Sequence, residues 1–310
     1  MRAPGPLGRK RPKKTGPVPN LFCFFSACYH LPRRLAAVII SASRRTDICA
    51  FFSCWFIDGI RTGQIEVPNP QNHSMVRKVS LRPNDVEAIV FWTRDPRPIM
   101  DGLGHIEQRG IGTYFHITIT PYGPPLEPGL APLEERIQAA LALADRLGPK
   151  RVHWRYDPIV LSNRTGPDEH RRAFADMARK LRGRLCGVTV SLLDWYRKTE
   201  RALQPLERDG WIFSRPGPSD PEARALLCDL AAIARSEGFE MRACCEPADL
   251  SPLGIGPARC IDGEKLAALF GREVPARKDR AQRPDCRCHS SVDIGRYGTC
   301  RHGCRYCYAR

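Results

Sequence analysis

The chain has 310 residues, of which 42% are hydrophobic, and it carries a formal net charge of +16. This length and composition can bury a substantial core, which excludes a mainly disordered protein. The 14 cysteines are too few for a short disulfide scaffold. Most of them fall between Cys244 and Cys307, which favours a metal-binding segment in a reducing, cytoplasmic compartment.

Residues 1–35 contain many lysines and arginines, several prolines and no acidic residue, and they supply about half of the net charge of +16. We predict that this segment is a basic, Pro-rich, disordered extension. A nucleic-acid-binding arm and an export signal built on the apolar stretch at 21–31 are the alternatives. Since no segment reaches the ~18 consecutive apolar residues of a membrane span, we predict no membrane partner.

From residue 36 onward, apolar runs typical of strands alternate with helical patterns. The predicted strands cover 36–43, 87–93, 113–120, 151–161, 186–194 and 239–245, with a weaker one at 291–295, and the clearest helices cover 132–148, 167–181 and 221–238. This alternation predicts an α/β fold with a parallel sheet, either doubly wound or a partial or closed TIM-like β/α barrel. We expect residues 36–247 to form the barrel core and residues 248–310 to be a cysteine-rich iron–sulfur segment that completes it.

Polar residues follow nearly every predicted strand, and they decide between a barrel and a doubly wound sheet. They are Arg44, Arg45 and Asp47; Thr93, Arg94 and Asp95; Thr118, Thr120 and Tyr122; Arg155 and Asp157; Ser191 and Asp194; and Glu246. In a β/α barrel the carboxyl ends of all strands converge on one site, whereas a doubly wound sheet uses only those near its switch point. The pattern therefore favours the barrel, although turn and helix-cap residues could explain any single position.

Three cysteines near residue 310, Cys300, Cys304 and Cys307, are spaced closely enough to hold one inorganic centre. Zinc bound by these thiols and His302 is one interpretation, but ligands only two residues apart are awkward in a tetrahedral site. An iron–sulfur cluster on the three thiols alone leaves one iron open for chemistry. We therefore expect an open [4Fe–4S] cluster here.

The C-x3-C-x2-C pattern, with Tyr306 before the third cysteine, resembles the cluster loop of radical S-adenosylmethionine enzymes. The resemblance implies that the cluster binds S-adenosylmethionine and yields a 5′-deoxyadenosyl radical, with a reductant such as flavodoxin or ferredoxin. In that superfamily the loop follows the first strand of a partial barrel, whereas here it follows the strand predicted at 291–295. The barrel is therefore expected to be circularly permuted, with that strand paired to the strand at 36–43.

A second resemblance covers residues 38–310. The blocks "SASRRTDI", "FWTRDP", "FHITITPYG", "WRYDPI", "SLLDWYRKT", "CIDGEKLAALFG" and "KDRAQRPDCRCHSSVDIGRYGTCRHGCRYCYA" are similar to the uncharacterised family called domain of unknown function 1848. The family has a similar cysteine cluster near its C-terminus, so the resemblance implies cluster chemistry and no particular substrate.

The other cysteines in this part of the chain suggest a second site. The family resemblance implies a four-thiol set of Cys244, Cys260, Cys286 and Cys288, with Cys245 as a bystander. Four thiolates can hold a second [4Fe–4S] cluster or a structural zinc ion, and unliganded structural cysteines are the third alternative. We expect Cys49, Cys54, Cys186 and Cys228 to be buried, small apolar side chains.

Roles at the cofactor follow from the position of each residue after a strand. We predict that Glu246 accepts hydrogen bonds from the methionine ammonium group and that Arg155 or Arg44 pairs with its carboxylate, while Asp157 fixes these arginines or touches substrate. Arginines at the mouth favour an anionic small-molecule substrate. An iron–sulfur electron carrier and a zinc-stabilised binding module are the rival functions, and the sequence shows no stacking motif for nucleic acid.

Overall fold

The computed structural model describes residue 1 and residues 37–70, 72, 74–272 and 276–310. The predictions for residues 1–35 therefore lie outside the described part of the chain, apart from Met1. Residues 35–310 form one compact unit. None of the described helices is long and apolar enough to cross a membrane.

Ten strands are described. They are β1 (Val38–Ala42), β2 (Gln64–Pro68), β3 (Val76–Ser80), β4 (Val86–Thr93), β5 (Gly112–Thr118), β6 (Val152–Ile159), β7 (Val188–Leu192), β8 (Met241–Ala243), β9 (Gly256–Pro257) and β10 (Val292–Asp293). Every strand predicted from the sequence corresponds to one of these. The antiparallel hairpin of β2 and β3 and the two-residue strand β9 were not predicted.

The helices lie between the strands, as the alternating pattern predicted. They are α1 (Ile48–Phe51), α2 (Ser53–Thr62), α3 (Arg97–Met100), α4 (Leu103–Gln108), α5 (Leu133–Leu147), α6 (Pro167–Leu181), α7 (Arg197–Arg208), α8 (Pro221–Ser236) and α9 (Gly263–Phe270). Short 3-10 turns occur at Pro149–Arg151 and Ser251–Leu253. Helix α8 begins after Asp220, whose carboxylate accepts hydrogen bonds from the first-turn amides of Glu222 and Ala223.

The main sheet has eight strands in the order β10-β1-β4-β5-β6-β7-β8-β9, and every neighbouring pair is parallel. The predicted pairing of the strand at 291–295 with the strand at 36–43 is correct, because Ile40 pairs with Val292 and Ser41 with Asp293. Strands β10 and β9 form the two ends of this order, and no pairing between them is present in the described residues. The fold is thus α/β with a parallel sheet that fits a partial barrel.

The two faces of the sheet have different cover. One face packs against the helices, through strand residues such as Phe91, Phe115 and Trp154 and helix residues such as Phe174 and Leu226. The opposite face packs against described residues between 258 and 290, and this second apolar cluster contains Ile39, Ala88, Val90, Tyr114, Cys260, Ile261, Leu266, Cys286 and Cys288. The cysteine-rich segment, which includes α9, therefore covers the sheet face opposite the one that packs against α6 and α8.

Candidate functional site

The segment with Cys300, Cys304 and Cys307, here called the thiol loop (residues 296–310), leaves the carboxyl end of β10. Since β10 is parallel to β1, the thiol loop lies at the same edge of the sheet as the loop after β1. Asp293 joins the two, because its carboxylate accepts hydrogen bonds from Ser41 Oγ (2.7 Å), Ser43 Oγ (2.7 Å) and the Arg44 amide (3.0 Å).

Two glycines, one next to the thiol loop and one packed against it, allow close packing at this edge of the sheet. A Cβ atom on Gly295 would lie 1.9 Å from Ser43 Oγ, and one on Gly129 would lie 2.6 Å from the carbonyl oxygen of His302. The Gly129 amide donates a hydrogen bond to that same oxygen (3.0 Å). The loop between β5 and α5 is thus packed directly against the thiol loop, where a side chain at residue 129 has no room.

Asp47 connects three segments at this edge. Its carboxylate accepts hydrogen bonds from the Ala50 amide at the start of α1 (3.0 Å), from the Arg94 amide (2.8 Å) and from His302 Nε2 (2.8 Å). His302 is 5% exposed, and its ring lies against Phe51. Asp47 therefore positions the thiol loop and caps a helix; the sequence predicted only a role at the strand end.

A buried network around Glu127 holds the other side of the thiol loop. Glu127 is fully buried and accepts hydrogen bonds from Arg94 Nη1 (2.7 Å), Thr120 Oγ1 (2.6 Å) and the Tyr306 hydroxyl. Arg136 approaches the second carboxylate oxygen (3.5 Å), and Arg94 Nη2 donates to Tyr306 (2.6 Å). The network fixes Tyr306 between Cys304 and Cys307.

The three thiols of the loop occupy one small region and affect one another electrostatically. Burial raises the pKa of the Cys304 thiol to about 12, and the neighbouring thiols of Cys307 and Cys300 act in the same direction. Burial also raises the pKa of Cys300. The thiols of Cys304 and Cys300 are therefore neutral in the absence of a metal, and binding iron would release protons from them. Cys300 and Cys307 are half-buried, whereas Cys304 is buried.

The four-thiol set is also assembled. Cys244 Sγ lies 3.5 Å from Cys260 Sγ, and Cys260, Cys286 and Cys288 belong to one buried cluster. Arg155 Nη1 donates to Cys260 Sγ (2.8 Å), and the Ile261 amide donates to Cys288 Sγ (3.4 Å). The sheet supports this segment directly, because His116 Nε2 donates to the Cys260 carbonyl oxygen (2.7 Å).

The described side chains determine whether a metal fits either thiol set. In the described part of the chain, no group of three or more His, Cys, Asp or Glu side chains is arranged to hold a metal ion. Neither thiol set therefore has the preformed geometry of a closed zinc site. The donor chemistry fits an iron–sulfur cluster, whose ligands are cysteine thiolates, but the side chains would have to turn towards a common core.

The other predicted cofactor residues have partners within the protein. Arg155 forms a buried ion pair with Asp157, and Asp157 also accepts a hydrogen bond from Ser191 Oγ. Arg155 thus bridges Asp157 and the four-thiol set. Arg44 donates to Ser291 Oγ (3.1 Å), its guanidinium lies 5.5 Å from the Trp92 ring centre, and its Nε atom is buried without a partner in the described structure.

Glu246 follows β8 at the carboxyl edge, where Leu192 donates its amide to Glu246 Oε1 (2.8 Å). Burial raises the pKa of Glu246 to about 7, and Asp194 and Asp157 add to the shift. The structure therefore places Glu246 near the predicted site without defining a ligand for it.

The sequence interpretation missed some contacts and was wrong on two cysteines. Cys54 and Cys228 are exposed, although they were expected to be buried. Both cysteines lie in helices, and lying in a helix does not by itself determine whether a side chain faces the core or the solvent. Glu127 was not predicted either, because it lies in the loop between β5 and α5 and its partners are distant in sequence.

A family model accounts for the sequence blocks quoted above. The family model described as Domain of unknown function (DUF1848) matches residues 39–309. The chain belongs to this family. The match spans the whole parallel sheet and both thiol sets, so the DUF1848 fold includes the cysteine-rich segment.

Comparisons with individual proteins add little to the family assignment. No curated protein matches the chain. Among solved structures, a D-hydantoinase from Bacillus sp. AR9 is similar over 51% of this chain and 33% of its own, with 10% sequence identity and a TM-score of 0.24. This DUF1848 chain thus matches only about a third of that protein, and at such a TM-score the similarity carries no argument.

Proposed function

We propose that the protein is an iron–sulfur protein of the radical S-adenosylmethionine type that acts on an anionic small molecule. The observation that carries the proposal is the position of Cys300, Cys304 and Cys307 on one loop after β10, at the carboxyl edge of a parallel sheet. In this proposal the barrel is circularly permuted, with β10 in the place of a first strand.

The three thiols of the loop would hold the open [4Fe–4S] cluster, and the four-thiol set would hold a second one. When bound, the open cluster supplies one electron to the sulfonium of S-adenosylmethionine, chemistry that belongs to the cofactor. The protein would position the cluster and S-adenosylmethionine and shield them from water. Asp47 and Glu127 hold the thiol loop from opposite sides through His302 and Tyr306, and the buried Tyr306 keeps water from Cys304.

Arginines at the same edge would bind the anionic groups. Arg44 is the better candidate for the methionine carboxylate, because its Nε atom has no hydrogen-bond partner in the described structure and its ion pair with Asp279 is long (3.8 Å), whereas Arg155 is closely paired with Asp157. Glu246 would accept from the methionine ammonium group. An ammonium beside this carboxylate would favour its ionised form and offset the cost of burying it.

Iron and sulfide analysis of protein purified and reconstituted without oxygen tests the cluster. Dithionite and S-adenosylmethionine, scored for 5′-deoxyadenosine, then test the reaction class. We expect Cys304→Ala to abolish product, while Cys228→Ala, which removes an exposed thiol far from the site, leaves it unchanged. Zinc without iron would support the binding-module alternative, and iron without 5′-deoxyadenosine would support the electron carrier.

A further inference from the structure

A contiguous surface of tyrosines and basic residues borders the thiol loop. This surface, here called the tyrosine–arginine patch, consists of Tyr196, Arg197 and Lys198 at the start of α7 and Arg296, Tyr297 and Tyr308 of the thiol loop. The rings of Tyr196 and Tyr308 are 6.0 Å apart, and Lys198 Nζ lies 5.8 Å from the Tyr297 ring centre. The Gly298 amide donates to the Ala309 carbonyl oxygen (2.9 Å), which keeps Tyr297 and Tyr308 close together.

The tyrosines of the patch are unusually accessible. Tyr196, Tyr297 and Tyr308 are 40%, 38% and 46% exposed, whereas Tyr114, Tyr122 and Tyr306 are buried. Tyrosine and arginine are enriched in the cores of protein interfaces, because a flat aromatic side chain buries a large area at a small entropic cost. The composition and exposure of the patch fit a protein partner.

The charge of the patch is uncompensated. Residues 294–310 contain Arg296, Arg301, Arg305 and Arg310 and no acidic residue. Arg197, Lys198 and Arg296 of the patch are exposed, and among the described residues none of them forms an ion pair with a carboxylate. A partner with an acidic surface would supply the missing negative charge and would be steered to this edge of the sheet.

The patch also adjoins the two half-buried thiols of the loop. Tyr308 follows Cys307 directly, and the Tyr308 hydroxyl donates to the Arg44 carbonyl oxygen (2.9 Å) beside the mouth of the site. A protein seated here would approach the thiol loop more closely than one bound elsewhere on the sheet. We propose that the tyrosine–arginine patch docks a small acidic electron-transfer protein of the flavodoxin type. This inference rests on the proposed function and adds the surface through which electrons would arrive.

Binding is tested directly with an acidic flavodoxin as the probe, by calorimetry against the full chain at several salt concentrations. We expect the dissociation constant to rise steeply with salt concentration and to be at least tenfold higher in the variant Arg197→Glu/Lys198→Glu than in the wild type. The matched control Arg82→Glu/Lys150→Glu reverses two exposed charges near the opposite edge of the sheet and should bind like the wild type. Tyr196→Ala/Tyr308→Ala should weaken binding without changing the salt dependence.

Reduction separates this inference from the proposed function. Iron content and reduction by dithionite report on the cluster itself and should be unchanged in Arg197→Glu/Lys198→Glu, whose residues lie on α7 outside the thiol loop, whereas reduction by flavodoxin should be slowed at least tenfold. Absence of iron would refute the proposed function, while binding could still be scored. The docking proposal is overturned if flavodoxin does not bind, if charge reversal has no effect, or if a single-stranded RNA oligonucleotide binds the patch more tightly than flavodoxin does.

Discussion

The Tyr306 hydroxyl donates a hydrogen bond to the carboxylate of Glu127, which lies 179 positions earlier in the chain. Glu127 is fully buried, and Arg94 and Arg136 flank it as its charge partners. Glu127, in the loop between β5 and α5, thus sets the position of Tyr306, which lies between Cys304 and Cys307 in the sequence. The position of the thiol loop therefore depends on residues that are distant in the sequence.

The first prediction concerns the removal of the Glu127 charge. Glu127→Gln leaves two buried guanidinium groups without a counter-charge, so we expect the free energy of unfolding to fall by about 3–5 kcal/mol. Urea denaturation measures the change. Glu134→Gln, which removes an exposed carboxylate paired with Lys180, should leave the urea midpoint unchanged. An equal loss in both variants would contradict the importance of the buried network.

The second prediction concerns the close approach at Gly129. In Gly129→Ala the new methyl group meets the backbone of His302, which cannot move without displacing the thiol loop. We expect reconstituted iron to fall at least several-fold while circular dichroism shows an intact fold. Gly123→Ala, in the same loop but with no atom within 4 Å of the added methyl group, is the control. Normal iron content in Gly129→Ala would refute the proposed link.

The third prediction concerns the four-thiol set. If it holds a second cluster, Cys260→Ala should lower the iron and sulfide content by about half, because each cluster has the same composition. The neighbouring thiol of Cys245 is the control, and Cys245→Ala should keep the full content. Unchanged iron in Cys260→Ala, or zinc that disappears in its place, would remove the second cluster from the proposal.

The fourth prediction concerns stability and pH. Burial lowers the pKa of His170, which accepts from the Tyr156 hydroxyl (2.7 Å) and donates to the Val160 carbonyl oxygen (3.0 Å). The unfolded chain therefore takes up a proton first, at its ordinary pKa of about 6.5, and stability falls as the pH drops below that value. Urea midpoints measured between pH 8 and pH 5 check the sign.

The variant His170→Asn should show a shallower loss of stability with falling pH than the wild type does. It should not abolish the loss, because burial also lowers the pKa values of His116 and His153. A pH profile of the same slope in the variant and the wild type would mean that His170 does not contribute.

The local parts of the fold could be predicted from the sequence. The buried strands are continuous apolar runs, and helices such as α5 repeat apolar residues at helical spacing, so both are visible within a short window. The hairpin of β2 and β3 was missed because its alternating hydrophobic pattern is short and weak. On β2 only Ile65 and Val67 are buried between exposed residues. Strand β9 has only two residues and no pattern at all.

The candidate site could be predicted only in part, for the same reason. Cys300, Cys304 and Cys307 lie within eight residues, so their spacing can be recognised from the sequence alone. Pairs such as Asp47 with His302 and Arg155 with Cys260 join residues 255 and 105 positions apart, and only the folded sheet brings them together. The partners of the candidate residues are therefore visible only in the fold, and the roles predicted for the candidates themselves stay predictions.

The pairing of β10 with β1 has a consequence for synthesis in the cell. Ser43 and Asp293 are 250 positions apart, so β1 leaves the ribosome long before its neighbour exists. During that interval one edge of the nascent sheet stays unpaired and open to association with other chains. The thiol loop cannot take its place until β10 has been synthesised, so chaperones that cover open strands would raise the yield of folded protein, and under the proposed function a cluster could be inserted only after that step.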